Sequence, residues 1–339
     1  MFFKKGRTDL PVLLLHNIDY EWDPADRDLA LQEAAKIESV LHAEGHPVVN
    51  VPVCDAKLGA YLRCFDPSHH IVFNWCEDIP GVPHSEALVA RLLQDFHFTY
   101  TGSPPEVLHS CWNKQRVKQM LENSGVPTPS WRIYHSPDID DWHFFPAIVK
   151  PSLEHCSYGL TPDAVVTSPD ELKERIVYII DVFRQPVLVE EFIDGREFHV
   201  SLWGNGRIEM LPPAEMNFAA FNNLKDRLCT YDSKFMPGSP HYDGIELQLP
   251  ASLDDTEYEQ LKQTSVHAYK TIGCRDYARL DIRLRNGIFY ILDINPNSDI
   301  SADASTACAA EVAGYSYGQM ISHIVNLAAR RHPVFQNLL

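Results

Sequence analysis

The chain has 339 residues, of which 45% are hydrophobic and 22% charged, and this length predicts two or three packed domains. Its 29 lysines and arginines against 46 aspartates and glutamates give a formal net charge of −17. Because nucleic acids and anionic membranes attract basic surfaces, this acidity argues against a broad surface for either partner. Any phosphate site must therefore be built locally from a few cations and backbone N–H groups.

The eight cysteines contain no C-x-x-C pair and have irregular spacings, so they indicate neither a zinc site nor a disulfide framework. Reduced thiols are expected, as in cytoplasmic proteins. The apolar run from Leu10 to Leu15 is too short for a membrane span or a signal peptide, and it predicts a first strand. We expect a soluble cytoplasmic protein with neither nucleic acid nor membrane as its partner.

The first part of the chain alternates between apolar runs and helical patterns. Strands are predicted at 11–17, 46–53 and 70–75, and helices from Asp23-Pro24 to Gly45 and at about 84–96. This alternation is typical of right-handed crossovers between parallel strands. The sequence therefore predicts a doubly wound α/β domain over residues 1–102.

Two further units are predicted, at 103–193 and 194–339. The first contains a helix capped by Ser110 and ended by Gly125, strands at 145–151 and 186–193, and a helix that opens with a capping box at Ser168. The second contains a strand at 196–203, a hairpin of 278–284 and 288–295 around Asn286-Gly287, and one long helical segment at about 302–331.

The hairpin carries the clearest chemistry. Residues two apart share one face of a strand, so Arg279 joins Asp281 on the first arm and Asp293 joins Asn295 on the second. Charges within apolar strands need partners, and carboxylate and amide oxygens suit Mg²⁺. From the residues alone, two interpretations stay open: a magnesium site, or a buried salt bridge between Arg279 and the aspartates.

Two lysines and an acidic run are also candidates for function. Lys150 ends an apolar strand before a serine- and glycine-containing loop, and Lys114 lies in the first turn of a helix. Each alone is more often a solvated surface lysine. Acidic residues from Glu190 to Glu197 follow a buried strand, where a polar domain hinge is the alternative to a binding site.

The order of these segments resembles a known family. In chain order they are GS (102–103), the Lys114 helix, GVPTP (125–129), FPAIVKP (145–151), a loop with Ser157 and Gly159, VLVEEFIDGREF (187–198), YDSK (231–234), ARLDIR (278–283) and ILDINPN (291–297). The set resembles the ATP-grasp ligases, specifically the D-alanine–D-alanine ligase-like branch, over about 70–330. The resemblance implies an ATP-grasp fold of α/β and α+β class, in which two α+β units clasp ATP beside the amino-terminal doubly wound α/β domain.

The resemblance also implies a set of site residues. The nucleotide site would contain Lys114, Lys150, Ser157, Gly159, Glu190, Glu191, Phe192, Ile193, Glu197 and Lys234. Two Mg²⁺ ions, with Mn²⁺ as an alternative, would be held by Asp281, Asp293 and Asn295, the family having Glu more often where this chain has Asp293. Catalytic roles would fall to Arg279, which stabilises the transferring phosphoryl group, and to Lys234 and Ser157, which contact phosphate.

The implied reaction converts a carboxylate into an acyl phosphate with ATP, and an amine then forms the amide. The part that would bind the amino acid departs from the family pattern, because HNIDYE replaces the usual glycine pair followed by serine and glutamate, leaving Glu21 or Asp19 as the candidate substitute. After Asn295, Asp299 lies near the position of the oxyanion-hole glycine, and Ser301 and Ser305 are candidates for the acceptor serine.

We therefore expect a ligase of altered specificity that joins an amino acid to another amino acid or to a small specialised-metabolite acid. A genuine D-alanine–D-alanine ligase is the first alternative, and a non-catalytic nucleotide-binding sensor is the second. The family resemblance makes a homodimer a further expectation.

Overall fold

The computed structural model of the chain describes residues 6–139, 141–154 and 157–338. These residues form three β-sheets, one within each of the three predicted ranges. His155 and Cys156 of the predicted phosphate loop lie outside the described residues. Every helix in the described ranges is too short or too polar to cross a membrane.

Four strands form the first sheet: β1 (Val12–Asn17), β2 (Val48–Val53), β3 (Ile71–Trp75) and β4 (Thr99–Tyr100). They are parallel in the order β2-β1-β3-β4, which confirms the predicted doubly wound arrangement. All of β1 is buried because helices cover both faces of the sheet. Three helices alternate with these strands: α1 (Pro24–Glu44), α2 (Leu58–Leu62) and α3 (Glu86–Asp95). Two more follow β4: α4 (Pro105–Cys111) and α5 (Lys114–Asn123).

Helix α1 begins and ends as predicted, since Asp23 accepts a hydrogen bond from the Ala25 N–H and Gly45 adopts a φ of 109°. The single helix predicted from Ser110 to Gly125 is wrong, because α4 and α5 are separate. Asn113 caps α5 by accepting from the Arg116 N–H, whereas the Ser110 hydroxyl donates to a carbonyl within α4.

The second sheet is antiparallel and contains β5 (Trp131–Tyr134), β6 (Ala147–Pro151), β7 (Val165–Val166) and β8 (Val187–Glu191). Its order is β5-β8-β6-β7, and helix α6 (Pro169–Phe183) packs on it. The predicted capping box of α6 is half formed. Ser168 accepts from the Glu171 N–H, but the Glu171 carboxylate accepts from the N–H of Thr167 instead of that of Ser168.

The third sheet consists of β9 (Arg196–Trp203), β10 (Glu209–Met210), β11 (Ala214–Asn217), β12 (Glu246–Gln248), β13 (Tyr277–Arg285) and β14 (Ile288–Pro296). The strand order is β12-β11-β9-β13-β14, with β10 beside β9. The predicted hairpin is confirmed, and Asn286 and Gly287 adopt the positive φ values, 54° and 75°, that its tight turn requires.

The remaining helices are α7 (Asp232–Phe235), α8 (Pro240–Gly244), α9 (Asp255–Ile272), α10 (Ser305–Val312) and α11 (Tyr317–Ala329). The long helix predicted at 302–331 is therefore wrong. Gly314 has a φ of 94° and Ser316 starts α11 with a capping box, so the chain turns between two helices. Apolar side chains of α11 pack with α1 and with Val12 and Leu14 of β1, so the end of the chain completes the first core.

Candidate active site

An open cleft lies between the second and third sheets, and it encloses about 860 Å³ together with the solvent in its opening. Eleven of the residues predicted for the site line it: Lys114, Lys150, Ser157, Glu190, Glu191, Phe192, Ile193, Glu197, Lys234, Asp281 and Asp293.

The polar end of the cleft is built on β13 and β14. Asp281 lies directly opposite Asp293 in the antiparallel pair, next to a register irregularity after Asp281. Arg279 donates from Nε to Asp281 Oδ1 at 2.8 Å, and the Asn295 Nδ2 lies 3.3 Å from Asp281 Oδ2. The Lys114 Nζ lies 3.3 Å from Asp293 Oδ2. The structure thus brings the predicted metal residues and two cations to one face of the hairpin.

Both interpretations of this hairpin have structural support. Burial opposes ionisation of Asp281, but Arg279 outweighs it and holds the pKa of Asp281 well below its ordinary value. Like charges directly opposite each other destabilise a strand pair unless a cation lies between them. Two carboxylates that line the cleft and the carboxamide beside them are a hard-oxygen donor set, so these residues fit Mg²⁺.

Lys150 and Glu190 lie at the deeper end of the cleft. The Lys150 Nζ donates to Glu190 Oε2 at 2.9 Å, and Glu190 is 1% exposed. A second ammonium, that of Lys118, lies 2.6 Å from Glu190 Oε1. Burial opposes ionisation of Glu190, but the two lysines outweigh it and lower the pKa of its carboxyl. The alternative of a solvated lysine therefore fails for Lys150, whose side chain is 16% exposed.

The hinge begins at the end of β8 and runs along the cleft from Glu190 to Ile193. Arg283 fixes its far end, because it donates to the Ile193 carbonyl at 2.8 Å and to Glu197 Oε2 at 2.7 Å. Glu197 is 5% exposed, so its charge is neutralised inside the protein. Arg285 donates to the Glu191 carboxylate at 2.6 Å, which turns that side chain toward the third sheet.

After His155 and Cys156, the phosphate loop is described again from Ser157. Its hydroxyl donates to the Cys229 carbonyl at 3.3 Å, so here it binds the loop that leads to α7. Gly159 lies behind the cleft with a φ of 76°, and a Cβ at this position would be 2.6 Å from the Phe183 ring. Only glycine fits there, which fixes the loop against α6. Lys234 reaches the cleft from α7.

The sequence did not predict four further residues of the site: His199, Cys229 and Arg283, which line the cleft, and Lys118, which pairs with Glu190. The spacing of two of them could have indicated the site. Lys118 is four residues from Lys114 and shares its helix face, and His199 is two residues from Glu197 and shares its strand face. Burial lowers the pKa of His199 to about 4, so its imidazole is neutral at pH 7. Its Nδ1 lies 3.2 Å from the Ser305 hydroxyl.

Glu197, His199 and Cys229 bring three potential ligand atoms within 4.8 Å of one another. Arg283 already neutralises Glu197, and burial raises the pKa of the Cys229 thiol well above its ordinary value. A fixed guanidinium and a protonated thiol both disfavour a cation. The hairpin therefore suits Mg²⁺ better than this group does.

The predicted amino-acid residues do not converge. Glu21 is exposed outside the cleft, Ser301 donates to the Asp299 carboxylate at 2.6 Å, and Ser305 contacts His199. A second cleft of about 320 Å³ lies between the first and third sheets. Its polar lining includes Asn74, Glu77, Glu86, Asn297, Ser298 and Asp299.

A model of the family described as D-ala D-ala ligase C-terminus matches residues 122–326. The chain belongs to this family. It is an ATP-grasp carbon–nitrogen ligase of the ADP-forming class, as the family resemblance in its motifs implied. The matched residues contain both sheets that form the larger cleft.

Individual proteins are similar to most of the chain. An uncharacterized protein, y4sG, of Sinorhizobium fredii is 34% identical over 265 residues, covering 77% of this chain and 75% of the relative. A D-alanine–D-alanine ligase of a Marinomonas species is 26% identical over 311 residues, covering 90% and 92% of the two chains. The crystal structure of a Bacillus anthracis D-alanine–D-alanine ligase complexed with ATP superposes with a TM-score of 0.70 at 18% identity, covering 94% of this chain and 98% of that one.

Proposed function

We propose that the enzyme joins the carboxylate of an amino acid to the amine of a second amino acid, or of a small specialised-metabolite acid, with ATP as the energy source. The observation that carries this proposal is the opposed pair Asp281 and Asp293 at the mouth of a cleft lined by Lys114 and Lys150. Carboxylates and ammonium groups in this arrangement suit a metal–triphosphate complex.

The purine would occupy the deep end of the cleft. Glu190 lines the cleft, and its carboxylate suits a ligand N–H group. The 6-amino group of adenine donates such a bond, whereas the 6-oxo group of guanine cannot. Glu197, two residues beyond the hinge turn, would accept from ribose hydroxyls.

The phosphates would lie toward the hairpin. Lys114, Lys150 and Lys234 would contact them, with Ser157 and Gly159 on the covering loop. Asp281, Asp293 and Asn295 would hold Mg²⁺, which when bound neutralises phosphate charge and polarises the transferred group. Because these lysines are concentrated at the cleft, a phosphate site is compatible with the acidic composition of the chain as a whole.

The reaction would have two transfers. A carboxylate oxygen of the first substrate attacks the γ-phosphorus of ATP, the bond to the β-bridging oxygen breaks, and ADP leaves. The amine of the second substrate then attacks the acyl carbon, loses a proton, and expels phosphate. Arg279, held against Asp281, would stabilise the negative charge that develops in both transfers.

The amino-acid end is where altered specificity is expected. Asp299 occupies the turn in which the family pattern has glycine, and its carboxylate binds the Ser301 N–H at 2.9 Å. Ser305 faces His199 instead of standing free at the start of α10. Both serines are thus bonded within the protein, unlike a serine whose hydroxyl is free to bind a substrate carboxylate. This difference supports a substrate pair other than two D-alanines. Because several relatives are named D-alanine–D-alanine ligase, the joining of two D-alanines is the second candidate.

The test is phosphate release from Mg-ATP by the purified protein with D- and L-amino acids, singly and in pairs, followed by mass spectrometry of the products. Turnover with a pair other than D-alanine supports the proposal. Formation of D-alanyl-D-alanine from D-alanine alone, at the highest rate in the panel, would replace it with the second candidate. ATP binding without turnover on any acid would contradict the ligase proposal for these substrates.

A further inference from the structure

Lys118 is a buried cation that the roles proposed above do not use. It lies one turn after Lys114 on α5, and its side chain is 2% exposed. Lysines are seldom buried to this extent without a partner, because desolvation disfavours the charged form. Burial lowers the pKa of Lys118, while the adjacent Glu190 opposes that change.

The ammonium of Lys118 is held by neutral acceptors. It donates to the Thr128 hydroxyl at 2.8 Å, to the Ile291 carbonyl at 3.1 Å and to the Leu292 carbonyl at 2.8 Å. These three acceptors, together with the Glu190 carboxylate, surround the ammonium and fix its position. Thr128 in turn donates to the Ile291 carbonyl at 2.9 Å, which fixes the acceptors themselves.

The consequence falls on Glu190. Its Oε1 lies 2.6 Å from the Lys118 Nζ. Lys150 holds the other carboxylate oxygen at 2.9 Å. Two ammonium groups therefore fix the Glu190 carboxylate, one at each oxygen.

We propose that Lys118 is a positioning residue for purine recognition. Its three hydrogen bonds to Thr128 and to β14 anchor the ammonium, and the anchored charge fixes the Glu190 carboxylate in the wall of the cleft, where this carboxylate accepts from the 6-amino group of adenine. This inference rests on the proposed function, since it requires that Glu190 face the purine. Lys118 itself does not contact the nucleotide.

Neutral variants of Lys118 are compatible with folding. The buried group of Lys118, Lys150 and Glu190 contains two cations and one anion, so removing Lys118 leaves a balanced ion pair. Lys118→Met keeps the length of the side chain. Lys118→Gln keeps N–H donors for the carbonyls of β14, and it serves as the second variant if methionine prevents folding.

The experiment compares the dissociation constants of ATP and of purine riboside 5′-triphosphate, which lacks only the 6-amino group. It uses the full-length protein with Mg²⁺ and no amino acid, so that turnover does not enter. Arg116→Met is the matched control, because Arg116 lies on the same helix and is exposed. The readout is the ratio of the two constants, which a loss of stability alone does not change.

For the wild-type protein we expect ATP to bind about tenfold or more tightly than the analogue, the usual effect of a hydrogen bond to a charged group. Lys118→Met and Lys118→Gln should bring the ratio to within about twofold of one, and Arg116→Met should keep the wild-type ratio. A wild-type ratio in a folded Lys118 variant would overturn the inference. A ratio near one in the wild-type protein would instead contradict the proposed role of Glu190, and with it the premise.

Discussion

Asp293 differs from Asp281 in what neutralises it, and that difference makes it the more sensitive residue. Asp281 has the guanidinium of Arg279 at 2.8 Å, whereas Asp293 has the Lys114 ammonium at 3.3 Å and is 28% exposed. The side chain of Asp293 is thus the more accessible of the two to a metal ion. We therefore expect metal binding to be more sensitive to a change at Asp293 than to one at Asp281.

Asp293→Ala should lower kcat by about 100-fold or more, the usual effect of removing a group that stabilises transition-state charge. Asp293→Glu keeps the carboxylate and should retain measurable turnover. Steady-state kinetics across a magnesium titration measures both. Wild-type kcat for Asp293→Ala at saturating Mg²⁺ would contradict the metal assignment and leave the salt-bridge interpretation of the hairpin.

Lys150→Met should weaken ATP binding by about 10- to 100-fold, because a charge-assisted hydrogen bond to phosphate is lost. The fold should persist, since Lys118 still neutralises Glu190. Isothermal titration calorimetry gives the affinity, and thermal unfolding gives the stability. Lys173→Met, an exposed lysine on α6, is the control and should change neither. A large drop in Tm with unchanged ATP affinity would assign Lys150 a purely structural role.

At the scale of elements, local patterns predicted the strands better than the helix breaks. The Asn286-Gly287 turn determines the β13–β14 hairpin locally, and through it the shared face of Arg279 and Asp281. The break between α4 and α5 depends on a choice between two caps, Ser110 and Asn113. The Ser110 hydroxyl donates to a carbonyl within α4, whereas the Asn113 side chain accepts from the Arg116 N–H, so Asn113 caps α5.

The site residues missed from sequence have partners distant in the chain. Arg283 pairs with Glu197, 86 residues away, and Lys118 binds the carbonyl of Leu292, 174 residues away. An arginine in a strand or a lysine on a helix is common, so neither residue type by itself indicates a site. Their function depends on which strands are neighbours, and periodicity alone does not specify sheet order.

The pair Glu197 and Arg283 joins β9 to β13 and supports the hinge. Arg283→Met should lower the free energy of unfolding by about 3–5 kcal/mol, because it leaves Glu197 charged and buried without its partner. Urea denaturation measures this change. Glu197→Gln combined with Arg283→Met should recover part of the loss. A cost below about 1 kcal/mol for the single variant would mean that water or another cation replaces Arg283.

At the scale of the whole molecule, the first and third sheets are joined by buried polar contacts. Asp276 is fully buried and accepts from the Gly102 N–H at 2.9 Å and from Arg331 at 2.8 Å. The Asn297 side chain donates to Glu86 of α3 at 3.0 Å. The loop after β14 is therefore fixed to the amino-terminal part, beside the second cleft.

Glu86 makes this junction sensitive to pH. Burial raises the pKa of its carboxyl from 4.5 to about 8, despite the hydrogen bond from Asn297, and Glu77 adds to the rise. The folded protein therefore keeps a proton that the unfolded chain loses above about pH 4.5, so this group lowers stability as the pH rises toward 8.

Glu86→Gln removes that titration and keeps an oxygen that can accept from Asn297. The Tm of the variant should exceed that of the wild-type protein by an amount that grows as the pH rises through this window and then levels off. Thermal unfolding across the pH range measures it, with Glu106→Gln on the exposed side of α4 as the control. A Tm difference independent of pH would contradict the raised pKa.

The central claim is that a substrate carboxylate is phosphorylated by ATP before the amide forms. The most direct measurement uses the acid that turns over in the panel, labelled with oxygen-18 in its carboxylate, and mass analysis of the phosphate released with Mg-ATP. Phosphoryl transfer to the carboxylate predicts one labelled oxygen in that phosphate, because the acyl carbon–oxygen bond breaks when the amine attacks. Unlabelled phosphate, with amide still formed, would contradict the acyl-phosphate mechanism.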